Sequence, residues 1–194
     1  MAKEAEKRTV AIARFYGWYS HKYGDVRKCI HCQGLLPKTE NAPDYAIAPI
    51  FTWVEAKNSG STERWNWEEI GPEGARKNQR AWLIKNGGWL LIELSNKDAR
   101  GANGRMAYLV PFKKWLSEVE PILLKLEMKS IRLDTKGNRP GADSLLKTWE
   151  LEWTPTVGWT IPPGHIWWTA LISRAESLLR EALAYDAAKQ NNPE

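Results

Sequence analysis

A mixed α/β fold, about three layers deep, is what the sequence predicts, and three observations predict it. Stretches with apolar residues at helical spacing alternate with short β-rich runs, and Gly/Pro punctuation separates them. The 194 residues are 43% hydrophobic and 26% charged, near the averages for globular domains, which excludes a disordered chain. That length fits one domain. No run nears the ~18 apolar residues of a membrane span, so no membrane partner is expected. The start, Met1 to Arg8, is charged and leads into an amphipathic stretch, so no secretory leader is read there and a cytoplasmic protein is expected.

In chain order, Val10, Ile12, Ala13, Phe15, Tyr16 and Tyr19 share one face of a helix predicted over Glu4 to Tyr19, with Gly17 weakening its end. Gly24 to Pro43 reads as an irregular module carrying Cys29, His31 and Cys32. Asp44 to Ala48 and Ile50 to Ala56 are β-rich runs on either side of Pro49, the pattern of a hairpin-like turn. Asn58 to Gly74 is a long loop, rich in Gly, charge and Trp. A helix from Ala75 to Asn86 is stopped by Gly87-Gly88, and an apolar strand, Trp89 to Leu94, follows. A polar turn from Ser95 to Arg105 leads to a strand over Met106 to Val110. Pro111 opens a helix, Phe112 to Lys129, that Pro121 would divide. Beyond it come a loop from Asp134 to Asp143, a short strand around Leu151, a loop from Pro155 to Gly164, and an Ala- and Leu-rich helix from Ile166 to Lys189. The expected organisation is one domain over 1–194, with a core at about 4–130 and a C-terminal extension, 131–194, packed on it.

Charge and composition narrow the partners. Lys plus Arg number 28 against 23 acids, a net +5 that favours a polyanion or is ordinary surface charge. The 2 Cys exclude a disulfide framework. Cys29 and Cys32 have the Cys-x-x-Cys spacing of a zinc site, with His21 upstream and His165 or an acid as a fourth ligand; small buried thiols and a redox pair are the alternatives. Among the 12 Trp, those at Trp149, Trp153, Trp159, Trp167 and Trp168 fit core packing better than base stacking. Arg64 and Trp65 in the long loop, and Arg76, Lys77 and Arg80 near the next helix, are candidate DNA contacts; a loop folded onto its own core is the alternative.

Chemistry concentrates at Asp44, Glu55 and Lys57. Glu55 and Lys57 alternate along one strand and so point to the same face, and a hairpin would bring Asp44 beside them. Two close carboxylates call for a cation between them, and all-oxygen ligands suit Mg²⁺ or Mn²⁺. A neighbouring ammonium can act on a water or a phosphate. Pro43-Asp44, ten residues, then Glu55-Ala56-Lys57 resembles the PD-(D/E)xK nuclease motif. Lys77-Asn78-Gln79-Arg80-Ala81-Trp82-Leu83, then Gly87-Gly88 and an apolar strand, then Tyr108-Leu109-Val110-Pro111-Phe112, is similar to Holliday-junction resolvases and to the virus-type replication-repair nucleases. The resemblance covers about residues 40–116.

That resemblance implies a restriction-endonuclease-like mixed β-sheet flanked by helices, here with an extra C-terminal helical element. It implies a Mg²⁺-dependent (or Mn²⁺-dependent) endodeoxyribonuclease of recombination and repair, a homodimer acting on Holliday junctions or other branched DNA. Hydrolysis would leave a 5′-phosphate and a 3′-hydroxyl. Asp44 and Glu55 would be metal ligands with the backbone carbonyl of Ala56, Lys57 would act on the water or the scissile phosphate, and Gln79 would position them. A first-helix acid, Glu6 or Glu4, would join in many relatives. The competing expectations are a non-catalytic nucleic-acid-binding module on the same fold and a small zinc-containing interaction domain built on residues 21–32.

Overall fold

The computed structural model describes residues 2–18, 20–22, 45–47, 52–58, 63–95, 105–134, 137–156 and 158–191. It is mixed α/β. Helix α1 (Ala2–Phe15) precedes β1 (Ser20–Lys22), β2 (Tyr45–Ile47) and β3 (Thr52–Asn58), which are antiparallel neighbours. Helix α2 (Lys77–Asn86) carries the chain to β5 (Trp89–Ser95), parallel to β3, and β6 (Arg105–Pro111) returns antiparallel to β5. The sheet order is β1-β2-β3-β5-β6. Between β3 and α2 lie β4 (Arg64–Asn66) and a 3₁₀ turn, Trp67–Ile70.

Strand periodicity divides the core in two. Along β5 every residue from Trp89 to Leu94 is buried, the near-continuous apolar pattern of a strand covered on both faces. Leu90, Ile92 and Leu94 join Tyr108, Val110, Leu83 and Trp115 under α2 and the Phe112–Lys125 helical run. Trp89 and Leu91 join Val54, Ala107 and Leu109 on the other face, against Ile12 and Ala13 of α1. The layers are therefore helix, sheet and helix, as expected from the sequence.

Much of the α1 face is completed from the C-terminal third. The hairpin of β8 (Glu152–Thr154) and β9 (Gly158–Thr160) and the first turns of α6 (Ile166–Asn191) place Trp159, Ile161 and Trp167 in that cluster. Leu151 N–H donates to the Ala107 carbonyl at 2.8 Å. The Tyr16 hydroxyl accepts the Ile161 N–H at 2.9 Å and donates to the Ile161 carbonyl at 3.3 Å. His165, buried, accepts the Trp167 N–H on Nδ1 at 3.0 Å and so caps the start of α6. Its pKa lies below the usual histidine value because burial disfavours the imidazolium, a backbone hydrogen bond with Trp149 opposing that in part.

Several elements differ from expectation for physical reasons. Helix α1 stops at Phe15 because Gly17, at φ +67°, terminates it: the Gly17 N–H reaches the Arg14 carbonyl and the Trp18 N–H the Ala13 carbonyl, the paired bonds of a Schellman cap. Pro121 does not cut its helix; the run passes from α3 (Phe112–Lys114) through a π-helical segment, Trp115–Val119, into α4 (Glu120–Lys125). The wider turn lets the Glu120 N–H reach the Trp115 carbonyl just before the proline that has no N–H to give. The Pro155–Gly164 loop contains β9, and the 58–74 loop contains β4, paired antiparallel with β7 (Ser130–Arg132). Between β7 and β8 lie α5 (Ala142–Leu145) and a 3₁₀ turn, Lys147–Trp149. Trp149, Trp159 and Trp167 are buried as expected, while Trp153 is 37% exposed, edge-on to Trp159 at 5.1 Å.

Candidate active site

Alternation along β3 sends Val54 to the α1 face and Trp53, Glu55 and Lys57 to the face under α2. On α2, Gln79, Trp82 and Leu83 are spaced i, i+3, i+4 and look at the sheet together. Leu83 is buried in the core, and Trp82 meets Trp53 edge-on at 4.5 Å. This seats Gln79 over the Glu55–Lys57 pair.

The three side chains close a triangle. Lys57 Nζ lies 2.6 Å from Glu55 Oε1 and donates to Gln79 Oε1 at 3.4 Å, and Gln79 Nε2 donates to Glu55 Oε2 at 2.5 Å. Glu55 is 1% exposed and Lys57 5%, so this is no solvated surface pair of little consequence. Withdrawing two charges from water costs several kcal/mol per ion even after relaxation, and their attraction offsets that cost only in good geometry. Gln79, half-buried, forms the solvent-facing corner.

Around it, the expected partners fare differently. Asp44 lies outside the described residues; Tyr45, which follows it, pairs with Val54, which precedes Glu55. Ala56 sits between the two charged residues in the β3 ladder, opposite Leu91. Glu6 and Glu4 fall in α1, whose buried Ile12 and Ala13 pack on the opposite face of the sheet, and their side chains are outside the described set. Cys29 and Cys32 are outside it too, and His21 is described only as backbone, in β1 opposite Ala46. Glu55 offers carboxylate oxygens, Gln79 an amide oxygen and Ala56 a carbonyl, all hard donors of the kind Mg²⁺ takes. Among the described residues no group of three His, Cys, Asp or Glu could hold a metal.

Two of the candidate DNA contacts are drawn into the fold, and one of them, Trp65, is buried. Trp65 is 4% exposed and packs against Trp115, so it offers no face to a base; its strand buries it to seal the core. The Arg80 guanidinium, 14% exposed, grips the Glu120 carboxylate through two bonds, 2.7 and 2.8 Å, and the Ile70 carbonyl at 3.0 Å, a clamp that ties it to the fold. Arg64, Arg76 and Lys77 are exposed, Arg76 lying 3.7 Å from Glu69. The sequence reading passed over Arg132, which β7 sets directly opposite Arg64; the Ser-Ile-Arg alternation opposite Arg-Trp-Asn was the available signal. It also passed over Glu93 of β5, a buried acid paired with Arg8 of α1 on the far face.

No protein-family model matches the sequence, and no curated protein matches it. No helix among the described residues is long and apolar enough to cross a membrane. The geometry of the residues carries the functional argument.

Proposed function

We propose that the protein is a metal-dependent endodeoxyribonuclease of the PD-(D/E)xK type on a restriction-endonuclease-like core. It would hydrolyse phosphodiester bonds at Holliday junctions or other branched DNA, as a homodimer whose two sites cut two strands. The observation that carries this reading is the Glu55–Lys57–Gln79 triangle, a buried ion pair held by a half-buried amide. The chain order around it supports the reading: the Glu-x-Lys pair on a strand, the Gln on the next helix, and an apolar strand parallel to the first.

In this reading Gln79 holds Lys57 by accepting from its ammonium and holds Glu55 by donating to its carboxylate, which fixes both rotamers before substrate arrives. The Lys57 ammonium then orients the attacking water or stabilises negative charge gathering on the phosphate oxygens. Water attacks phosphorus, the bond to the 3′ oxygen breaks, and 5′-phosphate and 3′-hydroxyl ends remain. A Mg²⁺ or Mn²⁺ ion held by Asp44, Glu55 and the Ala56 carbonyl would polarise the phosphate.

The test is cleavage of labelled four-way junction, flap, single-stranded and duplex DNA with Mg²⁺ and with EDTA. We expect metal-dependent cutting, strongest on a branched substrate, that falls about 10²–10⁴-fold in Glu55→Gln and Lys57→Met and measurably in Gln79→Ala. Binding without cutting on every substrate, in all four proteins, would replace the nuclease with a non-catalytic nucleic-acid-binding module.

A further inference from the structure

We propose that α6 pairs antiparallel with α6 of a second copy of this chain, through the apolar stripe that Ile172, Ala175, Leu179 and Ala182 form along it. This deepens the homodimer of the reading above and rests on that part of it, not on catalysis. Only the first turns of α6 are anchored: Trp167 is buried, and Ile166, Trp168, Ala170 and Leu171 pack against the core on the α1 face. From Ile172 to Tyr185 every residue but Ser177 and Leu178 is exposed.

A helical segment of about 14 residues without a packed face is marginal in water, because most helical stability in proteins comes from packing an amphipathic face. Ile172, Leu179 and Leu183 are 59%, 61% and 60% exposed, and on an α-helix they fall within about 40° of one another. Ile172, Ala175, Leu179 and Ala182 recur at i, i+3, i+7 and i+10, the seam of a coiled coil. The stripe therefore has the shape that another helix fills.

Charge selects a second copy as the occupant. Between Ile172 and Tyr185 the charged residues are Arg174, Glu176, Arg180 and Glu181, and they pair along the helix, Arg174 with Glu181 at 3.6 Å and Arg180 with Glu176 at 3.7 Å. A segment whose charges cancel has no pull on anionic lipid or DNA, but it complements itself when reversed. A two-fold axis near Ser177 sets Ile172 opposite the partner's Ala182 and Ala175 opposite the partner's Leu179, large against small at each level. The same axis lays the Glu176–Arg180 pair beside its reversed copy at the flank of the seam, acid toward arginine. A parallel pair would stack Ala175 on the partner's Ala175, which leaves a void, and would turn Glu176 toward the partner's Leu171. About 14 residues a side is fewer than the ~20–30 of a standard interface, so a reversible dimer is expected.

The test is sedimentation equilibrium of the full chain in EDTA and without DNA, over a concentration series, for wild type, Leu179→Glu, Glu176→Arg, Arg180→Glu and a mixture of the last two. Wild type is expected to pass reversibly from 22.2 kDa to twice that mass. Leu179→Glu puts a charge in the seam and should weaken association about 10-fold or more, with the near-ultraviolet circular dichroism of the Trp-rich core unchanged because the position is exposed. Each charge reversal alone should weaken association, and the mixture should regain it, since one chain then presents two arginines to the other's two glutamates. A wild type that is monomeric across the series would overturn the proposal, as would a dimer that Leu179→Glu leaves intact or charge reversals that neither weaken nor rescue it. A monomer that sediments with vesicles of anionic phospholipid would give the stripe to a membrane surface and equally overturn it. A chain that dimerises this way and cuts no DNA keeps the helix pair and loses only the nuclease reading; one that cuts as a monomer keeps the nuclease and loses the pair.

Discussion

Replacing Lys57 by methionine keeps the length of the side chain and deletes the ammonium, which takes from the Glu55 carboxylate, 1% exposed, the positive charge 2.6 Å away and leaves it the Gln79 Nε2 donor. Breaking a buried ion pair from one side costs about 3–5 kcal/mol. For a chain of this size each kcal/mol moves Tm by roughly 2–4 °C, so Lys57→Met is expected to melt about 6–20 °C below wild type. The double variant Glu55→Gln/Lys57→Met removes both charges together and is expected to regain most of that loss, since neutral groups of similar volume commonly match or exceed a buried pair. Urea unfolding of wild type, both single variants and the double closes a thermodynamic cycle. If the double variant is stable and cuts no DNA, the pair is kept for chemistry at a cost in stability. A Lys57→Met protein within about 0.5 kcal/mol of wild type, the range of surface substitutions, would refute the burial argument, and a double variant as unstable as the single one would make the pair structural.

His165 gives a pH signature. Its folded pKa is depressed by burial, so between that value and the unfolded value of about 6.5 only the unfolded chain takes the proton. Stability therefore climbs with pH through that window, is complete above it and is lost below the folded pKa. Urea midpoints from acid to neutral pH should show this rise in wild type and not in His165→Asn, which keeps a cap acceptor; equal slopes would count against it. Arg80→Lys loses the fork to the buried Glu120 and should cost about 1–3 kcal/mol in chemical denaturation, with no change in the salt slope of DNA binding, because lysine keeps the positive charge.

Strong local signals carried most of the layer order. The apolar run Trp89–Leu94 and the Gly87-Gly88 stop belong to a strand buried on both faces and to a helix end, and both depend on residues adjacent in sequence. Strands of three residues were illegible: Ser20–Lys22, Arg64–Asn66 and Gly158–Thr160 are too short for an alternation to stand out, and their pairing partners include segments as distant as Ser130–Arg132. The fate of Trp65 and Arg80 turned on those long-range contacts. A Trp in a polar loop and an Arg on an exposed-looking helix read as surface until Ile131 and Glu120 arrive from segments distant in sequence.

The site was legible for a different reason, because three of its members depend on two short-range rules. Period-two alternation commits Glu55 and Lys57 to one face of β3, and the i, i+3, i+4 spacing commits Gln79, Trp82 and Leu83 to one face of α2. What the rules leave open is whether the two faces meet, and the core decides it. Leu83 and Trp82 must cover the Trp53 side of the sheet, and that requirement alone brings Gln79 over the pair. A slip of one residue in β3 would turn Val54 toward α2 and both charges toward the buried Ile12 and Ala13 of α1, away from the Gln79 amide that holds them. The hydrophobic pattern that fixes the register of the sheet therefore also fixes the geometry of the triangle.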